Sequence, residues 1–158
     1  MLDVLTFDIA DLDAEDVRAL LRLHLLEAYA DACTAALNIE ALREEDVTLY
    51  SARTSKQDLA GIAGLKILTT PNGTRKHGEI KSVRTHTDFL RQGVSSKLMG
   101  HLEQSARLRG LDRLFLQTHP TPAYAAACRL YEKLGYEYCS AFGDYKTSPK
   151  SVFMTKAL

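Results

Sequence analysis

The chain has 158 residues, 46% hydrophobic and 25% charged, with twenty Lys and Arg balancing twenty Asp and Glu. That size and composition suit one folded domain, residues 1–158, around a single core. No apolar run reaches bilayer length, the acidic start "MLDVLTFDIADLDAED" lacks a signal peptide's basic region, and basic and aromatic residues do not interleave, so a cytoplasmic protein without membrane or nucleic-acid partners is expected.

In chain order, "VLTFDI" alternates as a first strand. Asp13 is a plausible N-cap for a helix from Ala14 to about Cys33, with Val17, Leu20, Leu21 and His24 on one face. A short helix around Ile39 to Asp46 follows. "VTLYSAR" and "LAGIAGLKILTT", parted by the polar "TSKQD", read as a hairpin. "PNGTRKHG" is a turn, and "EIKSVRTH" the strand after it. A helix runs from Val94 to Arg109 and stops at Gly110; "RLFLQTH" is a strand. "PAYAAACRLYEKLG" is a helix with Pro122 in its first turn and Gly135 beyond its last. "YEYCSAF" and "SVFMTKAL" are strands bracketing the loop "GDYKTSP". The order gives a mixed α/β fold: an antiparallel N-terminal portion, a β-α-β unit, then a helix and two closing strands.

Three cysteines, Cys33, Cys128 and Cys139, have no CxxC spacing and read as buried thiols. The five His (24, 77, 86, 101, 119) are scattered without ligand spacing, so no metal is expected. Residues 1–50 carry three Arg and no Lys against twelve Asp and Glu, while residues 51–158 carry seventeen basic against eight acidic groups. Two solvated faces explain this, and so does a bipolar site that draws a polyanion to one side and a cation to the other.

The stretch "DFLRQGVSSKLMGHL" (88–102) poses a sharper question. Val94, Leu98 and Leu102 fix the buried face of the helix, and its first turn is "GVSS". Helix-start N–H groups point outward, a glycine lets a ligand approach the backbone, and serines add donors: an anion cradle suited to a pyrophosphate, or an ordinary capped start. Neither a Walker A loop nor a dinucleotide fingerprint is present.

"EIKSVRTHTDFLRQGVSSKLMGHLEQSARLRG" resembles the acetyl-CoA motif of the GNAT N-acetyltransferases, and "AACRLYEKLGYEY" the motif that follows it. The resemblance spans roughly residues 47 to 158, and the ending "FGDYKTSPKSVFMTKAL" is similar to the YsnE-like branch. Leu90 stands where the family's loop has Gln or Arg, and Ser95 where it has Gly or Ala. The resemblance implies a mostly antiparallel central sheet flanked by helices, with splayed central strands. It also implies an acetyl-CoA-dependent transfer to a primary amine of a small molecule or peptide, and allows a homodimer. In that frame Arg91, Gln92, Gly93, Val94, Ser95 and Ser96 hold the pyrophosphate, and Val83, Arg84 and Thr85 pair with the pantetheine arm.

The resemblance further implies Tyr131 as general acid towards the departing sulfur, Glu79 as general base, and Tyr124 at a position that often contacts the cofactor. Read from the residues alone, Tyr131 is equally a tyrosine at the edge of a face marked by Ala127, Leu130 and Leu134, and Glu79 a surface glutamate at a strand end. His86 and His119 are weaker candidates for the base. The alternative function is a non-catalytic acyl-CoA-binding module, motivated by Leu90, Ser95 and Tyr124.

Overall fold

The computed structural model describes residues 4–30 and 38–158. Its elements are β1 (Thr6–Ile9), α1 (Glu15–Ala30), α2 (Ile39–Leu42), β2 (Val47–Arg53), β3 (Leu59–Leu68), β4 (His77–Thr85), α3 (Val94–Leu108), β5 (Arg113–Thr118), α4 (Ala125–Lys133), β6 (Glu137–Cys139) and β7 (Val152–Ala157). The seven strands form one sheet in the order β1-β2-β3-β4-β5-β7-β6, antiparallel throughout except for the β4–β5 pair. The mixed, mostly antiparallel sheet follows from the expected elements: tight turns join β2, β3 and β4, whereas the parallel step to β5 needs the crossover that α3 supplies.

Each sheet face has its own apolar layer. On one, Val94, Leu98, Met99, Leu102 and Ala106 of α3 bury against Ala63, Leu65 and Ile80, and the layer continues through Leu114, Leu116 and Met154 to Tyr131 of α4. On the other, Val17, Leu20 and Leu21 of α1 and Leu42 of α2 cover Leu49, Leu59 and Ile62. From Ile62 to Ile67 the strand alternates between these layers, with Ala63, Leu65 and Ile67 on one and Ile62 on the other, the period-two rule of a strand buried on both sides. Gly61 lets α3 lie close: a Cβ there would meet Leu98 Cδ1 and Val94 Cγ1 at 2.9 Å.

Both long C-terminal helices stop as their sequences predict. Gly110 and Gly135 take φ +81° and +93°, and the next residues, Leu111 and Tyr136, return N–H bonds of 3.0 Å to the carbonyls of Ala106 and Tyr131.

Some boundaries differ from expectation. Asp13 does not cap α1. The Asp16 carboxylate accepts the Val17 N–H at 2.8 Å, while Asp13 holds the Arg43 guanidinium at 2.6 Å. An ion pair thirty residues away in sequence therefore takes the side chain that local sequence offered as a cap. The helix at Ile39 ends at Leu42, and the first turn of the helix after Thr121 is a tight one, Pro122–Tyr124. Cys128 and Cys139 are free but half-buried rather than buried, and Cys33 lies outside the described residues.

Candidate active site

The parallel pairing of β4 with β5 covers only His77–Ile80 against Arg113–Leu116. Beyond it β4 runs on to Thr85 bonded only to β3, and β5 to Thr118 bonded only to β7. The centre of the sheet therefore opens into a V. A cleft of about 150 Å³ occupies the opening, lined among others by His24, Glu79, Ser82, Tyr124, Tyr131 and Tyr145. The divergence coincides with a bulge: Ser82 and Val83 together face Ala63, and Ser82 lies at φ +55°.

Tyr131 is the buried residue of α4, only 8% exposed, so it is the centre of that helix's inner face and not its edge. The Tyr136 ring stands edge-on to it at 6.0 Å and is itself held through a 3.0 Å hydrogen bond from its hydroxyl to the buried Glu103, which also receives Lys156. Burial pushes the Tyr131 phenol up to about 12, with Cys128 nearby adding to the shift. Tyr131 makes no side-chain hydrogen bond among the described residues, so its hydroxyl is a spare donor facing the cleft.

Glu79 is 4% exposed in the body of β4, not a strand-end surface residue. Its Oε2 accepts the Tyr145 hydroxyl at 2.6 Å and the Lys81 ammonium at 3.3 Å, and Lys81 also reaches Tyr145 at 3.0 Å. Glu79 and Lys81 share a face because they are two residues apart on a strand; Tyr145 reaches them from the loop before β7. Burial first, then the Glu79 charge and hydrogen bond, raise the Tyr145 phenol above its ordinary value. The triangle is a wall: on its far side lies a second cavity of about 410 Å³, bordered by Asp46, Lys66, Phe142 and Asp144. His24, on the cleft's α1 side, is pushed below its ordinary value by burial and by Arg84.

The phosphate-cradle candidates form a second group, at the end of β4. Gly93 is the N-cap of α3 at φ +80°, and nothing lies within 4 Å of where a Cβ would stand. Arg91 is also left-handed, at φ +60°. Arg91 and Gln92 are exposed, Ser95 and Ser96 half-buried, and Val94 packs into the core, leaving only its backbone for a ligand. The Thr85 and Ser95 hydroxyls are 2.6 Å apart, tying the strand end to the helix start. The Arg84 side chain pairs with Glu27 of α1 and so turns towards that helix.

Of the sequence candidates, the fold gathers Glu79, Val83, Tyr124 and Tyr131 around the cleft and places Arg91 to Ser96 at the adjoining loop. His119 also lines the cleft, its ring 4.8 Å from that of Tyr124, whereas His86 lies outside it and accepts the Asp88 N–H at the start of the loop. Sequence reasoning missed Ser82, Lys81, Tyr145 and Gln117. Lys81 was available from its i+2 spacing to Glu79; the others carried no signal. No group of His, Cys, Asp and Glu among the described residues could hold a metal.

A sheet split at its one parallel pair, with a helix start at the end of the diverging strand, is the architecture of acyl-CoA N-acyltransferases. The chain belongs to the acetyltransferase (GNAT) family, which it matches over residues 14–136, and it is an N-acetyltransferase of that kind. It is 43% identical over 123 residues to YsnE of Bacillus subtilis, an N-acetyltransferase described as uncharacterized, covering 78% of each chain. To YedL of Escherichia coli, described in the same words, it is 38% identical over 151 residues, 94% of this chain and 91% of that one. The solved structure of a proposed acyl-CoA N-acyltransferase of Klebsiella pneumoniae superposes with a TM-score of 0.76 at 26% identity, over 98% of this chain and 97% of the other.

Proposed function

We propose that residues 1–158 act as one domain that transfers an acetyl group from acetyl-CoA to a primary amine of a small molecule or peptide. The observation that carries this reading is the spare Tyr131 phenol in the cleft between the splayed strands. The residues fit the cosubstrate: Gly93 leaves open space over the α3 N-terminus, and β4 beyond Ile80 has an edge that β5 does not pair. The N–H groups of Arg91 to Ser96, with the Ser95 and Ser96 hydroxyls, would hold the pyrophosphate. The backbone of Val83, Arg84 and Thr85 would bond the pantetheine arm, with Tyr124 beside it.

When bound, acetyl-CoA supplies an activated acyl carbonyl and a sulfur leaving group. Glu79 would take one proton from the acceptor ammonium, directly or through water, to leave the neutral amine that attacks; both of its protein hydrogen bonds fall on Oε2, so Oε1 is the oxygen left to receive it. Tyr131 would give its proton to the sulfur. The dry surroundings that hold that proton raise the proton affinity of a thiolate formed beside it as well, so the transfer is not uphill by the whole shift. We place the acceptor on the α1 side, where Glu79 and the second cavity lie, because α3 and α4 cover the opposite face.

Tyr131→Phe is the test, because it removes one oxygen and keeps the ring against Tyr136. In a CoA-release assay with an amine panel, turnover should fall by about 10²–10⁴-fold with acetyl-CoA affinity unchanged. Wild-type turnover in the variant would reduce Tyr131 to a packing residue.

A further inference from the structure

We propose that the Ser82 hydroxyl donates a hydrogen bond to the acyl carbonyl oxygen, a role that rests on acetyl-CoA occupying the cleft. The pairing of β4 with β3 passes from Gly64↔Lys81 to Ile62↔Arg84, so two residues, Ser82 and Val83, face the single Ala63. Ser82 is the only non-glycine residue with a left-handed φ inside a strand among the described residues. It is 8% exposed, and its Oγ is the only side-chain nitrogen or oxygen among them that is wholly shut off from solvent and has no hydrogen-bond partner. It also lines the cleft with Glu79 and Tyr131.

Two separate costs therefore fall on one residue at the point where the strands part. A left-handed backbone disfavours any side chain with a Cβ, and a buried hydroxyl without a partner forfeits its hydration. Alanine would avoid the second cost and glycine the first as well, so nothing in the folding of the sheet calls for a hydroxyl here. A ligand oxygen does call for one. A serine rotor offers one donor and swings between staggered positions about Cα–Cβ, enough to turn Oγ–H from the strand interior to the cleft.

Ser82 would donate to the carbonyl oxygen that gains the π pair as the new N–C bond forms, without giving up its own proton. Tyr131 would protonate the sulfur that departs with the C–S pair; Glu79 would take the first proton from the ammonium nitrogen, and the second, shed after the N–C bond forms, would return to the Tyr131 phenolate, which leaves one net proton on Glu79 to pass to solvent. Buried and already desolvated, the hydroxyl has no water to shed before it acts.

The test compares wild type with Ser82→Ala in melting without ligand and in calorimetric binding of CoA and of acetyl-CoA. The variant should melt at or above wild type and bind CoA within about twofold of it. It should bind acetyl-CoA about three- to tenfold more weakly, the span of one neutral hydrogen bond. Ser82→Gly, which adopts the left-handed backbone freely, carries the same binding comparison if the alanine variant does not fold. Unchanged preference for acetyl-CoA over CoA in the variants, or an alanine variant that folds but melts well below wild type, overturns the proposal. If the wild-type protein binds neither nucleotide, the reading of the cleft fails first and the role of Ser82 falls with it.

Discussion

Glu79→Gln separates structure from chemistry at the wall of the cleft. The substitution keeps shape and a carbonyl oxygen for the Tyr145 hydroxyl but removes the charge facing Lys81. The Glu79 and Lys81 side chains are 6% and 9% exposed, so solvent screens their pairing little. Breaking a buried pair from one side leaves the other charge stranded and costs about 3–5 kcal/mol, which for a chain of this length lowers Tm by about 6–20 °C. Adding Lys81→Met, which removes the second charge, should recover most of that loss. Tyr145 supplies an independent readout. Burial keeps its phenol raised, but the Glu79 charge is the next cause, so absorbance titration at 295 nm should show one tyrosine moving down towards 10 in Glu79→Gln. Urea and thermal unfolding of the two variants give the energies. A single variant within about 1 kcal/mol of wild type, the value of a solvated surface pair, would refute the reasoning that the triangle is buried and rigid.

Further outcomes follow from other parts of the structure. Gly93→Val places a β-branched side chain at φ +80° and fills the open space over α3, so CoA affinity by calorimetry should fall; it should also cost about 1–2 kcal/mol of stability. Unchanged CoA affinity would remove the loop from the binding site. Tyr131, Tyr136 and Tyr145 all hold their protons more tightly when folded than an exposed phenol does, Tyr131 up to about 12. Their contribution is therefore complete below about pH 10 and lost as pH rises through the folded values, at about 1.4 kcal/mol per pH unit for each group titrating; chemical denaturation between pH 8 and about 12 measures the slope, and a flat profile would contradict the burial. His24, whose folded value is lowered, acts in the opposite direction: stability should decline as pH falls below about 6.5, and His24→Gln should flatten that decline. At saturating acetyl-CoA, cationic and neutral amines of one shape should lose similar fractions of kcat/KM as salt rises; a selective loss for the cation would restore charge steering.

What could be read in the sequence was whatever depends on neighbours along the chain. The caps at Gly110 and Gly135, the α3 stripe from Val94 to Leu102 and the strand–loop–helix order around Gly93 are local, and they carried the fold and the family with them. What could not be read depends on partners far away. Tyr145 meets Glu79 across 66 positions of sequence, and Glu103 becomes a buried helix residue only because Tyr136 and Lys156 arrive to satisfy it. Glu79 misleads for the same reason, since an acidic residue near a strand start reads as solvated until its lysine and phenol are in view. The bulge at Ser82 has no sequence signature, because its φ is set by the register of β3 against β4 and not by serine's own preference.

The uneven charge of the two chain portions takes on a different meaning once partners are visible. Three acidic groups of the N-terminal portion are held by arginines of the remainder: Asp16 by Arg53, Glu27 by Arg84 and Asp46 by Arg75. The Arg53, Arg75 and Arg84 side chains would otherwise add to a basic field, and Asp16, Glu27 and Asp46 to an acidic one. Part of the asymmetry thus goes into holding α1 and the β2 region to the sheet, where each exposed pair contributes little beyond orientation. The same holds inside the cleft. An incoming ammonium finds the Glu79 charge already engaged by Lys81, and Arg84, outside the cleft lining, is already held by Glu27. An ammonium that reaches the open Oε1 of Glu79 meets a carboxylate whose charge Lys81 already offsets, so the net Coulomb gain falls short of the attraction of a bare charge. Under those conditions selection among acceptors falls to shape, hydrogen-bond direction and the apolar wall of Phe142, Tyr145 and Phe153, whose rings stand 5.1 to 5.6 Å apart beside the second cavity.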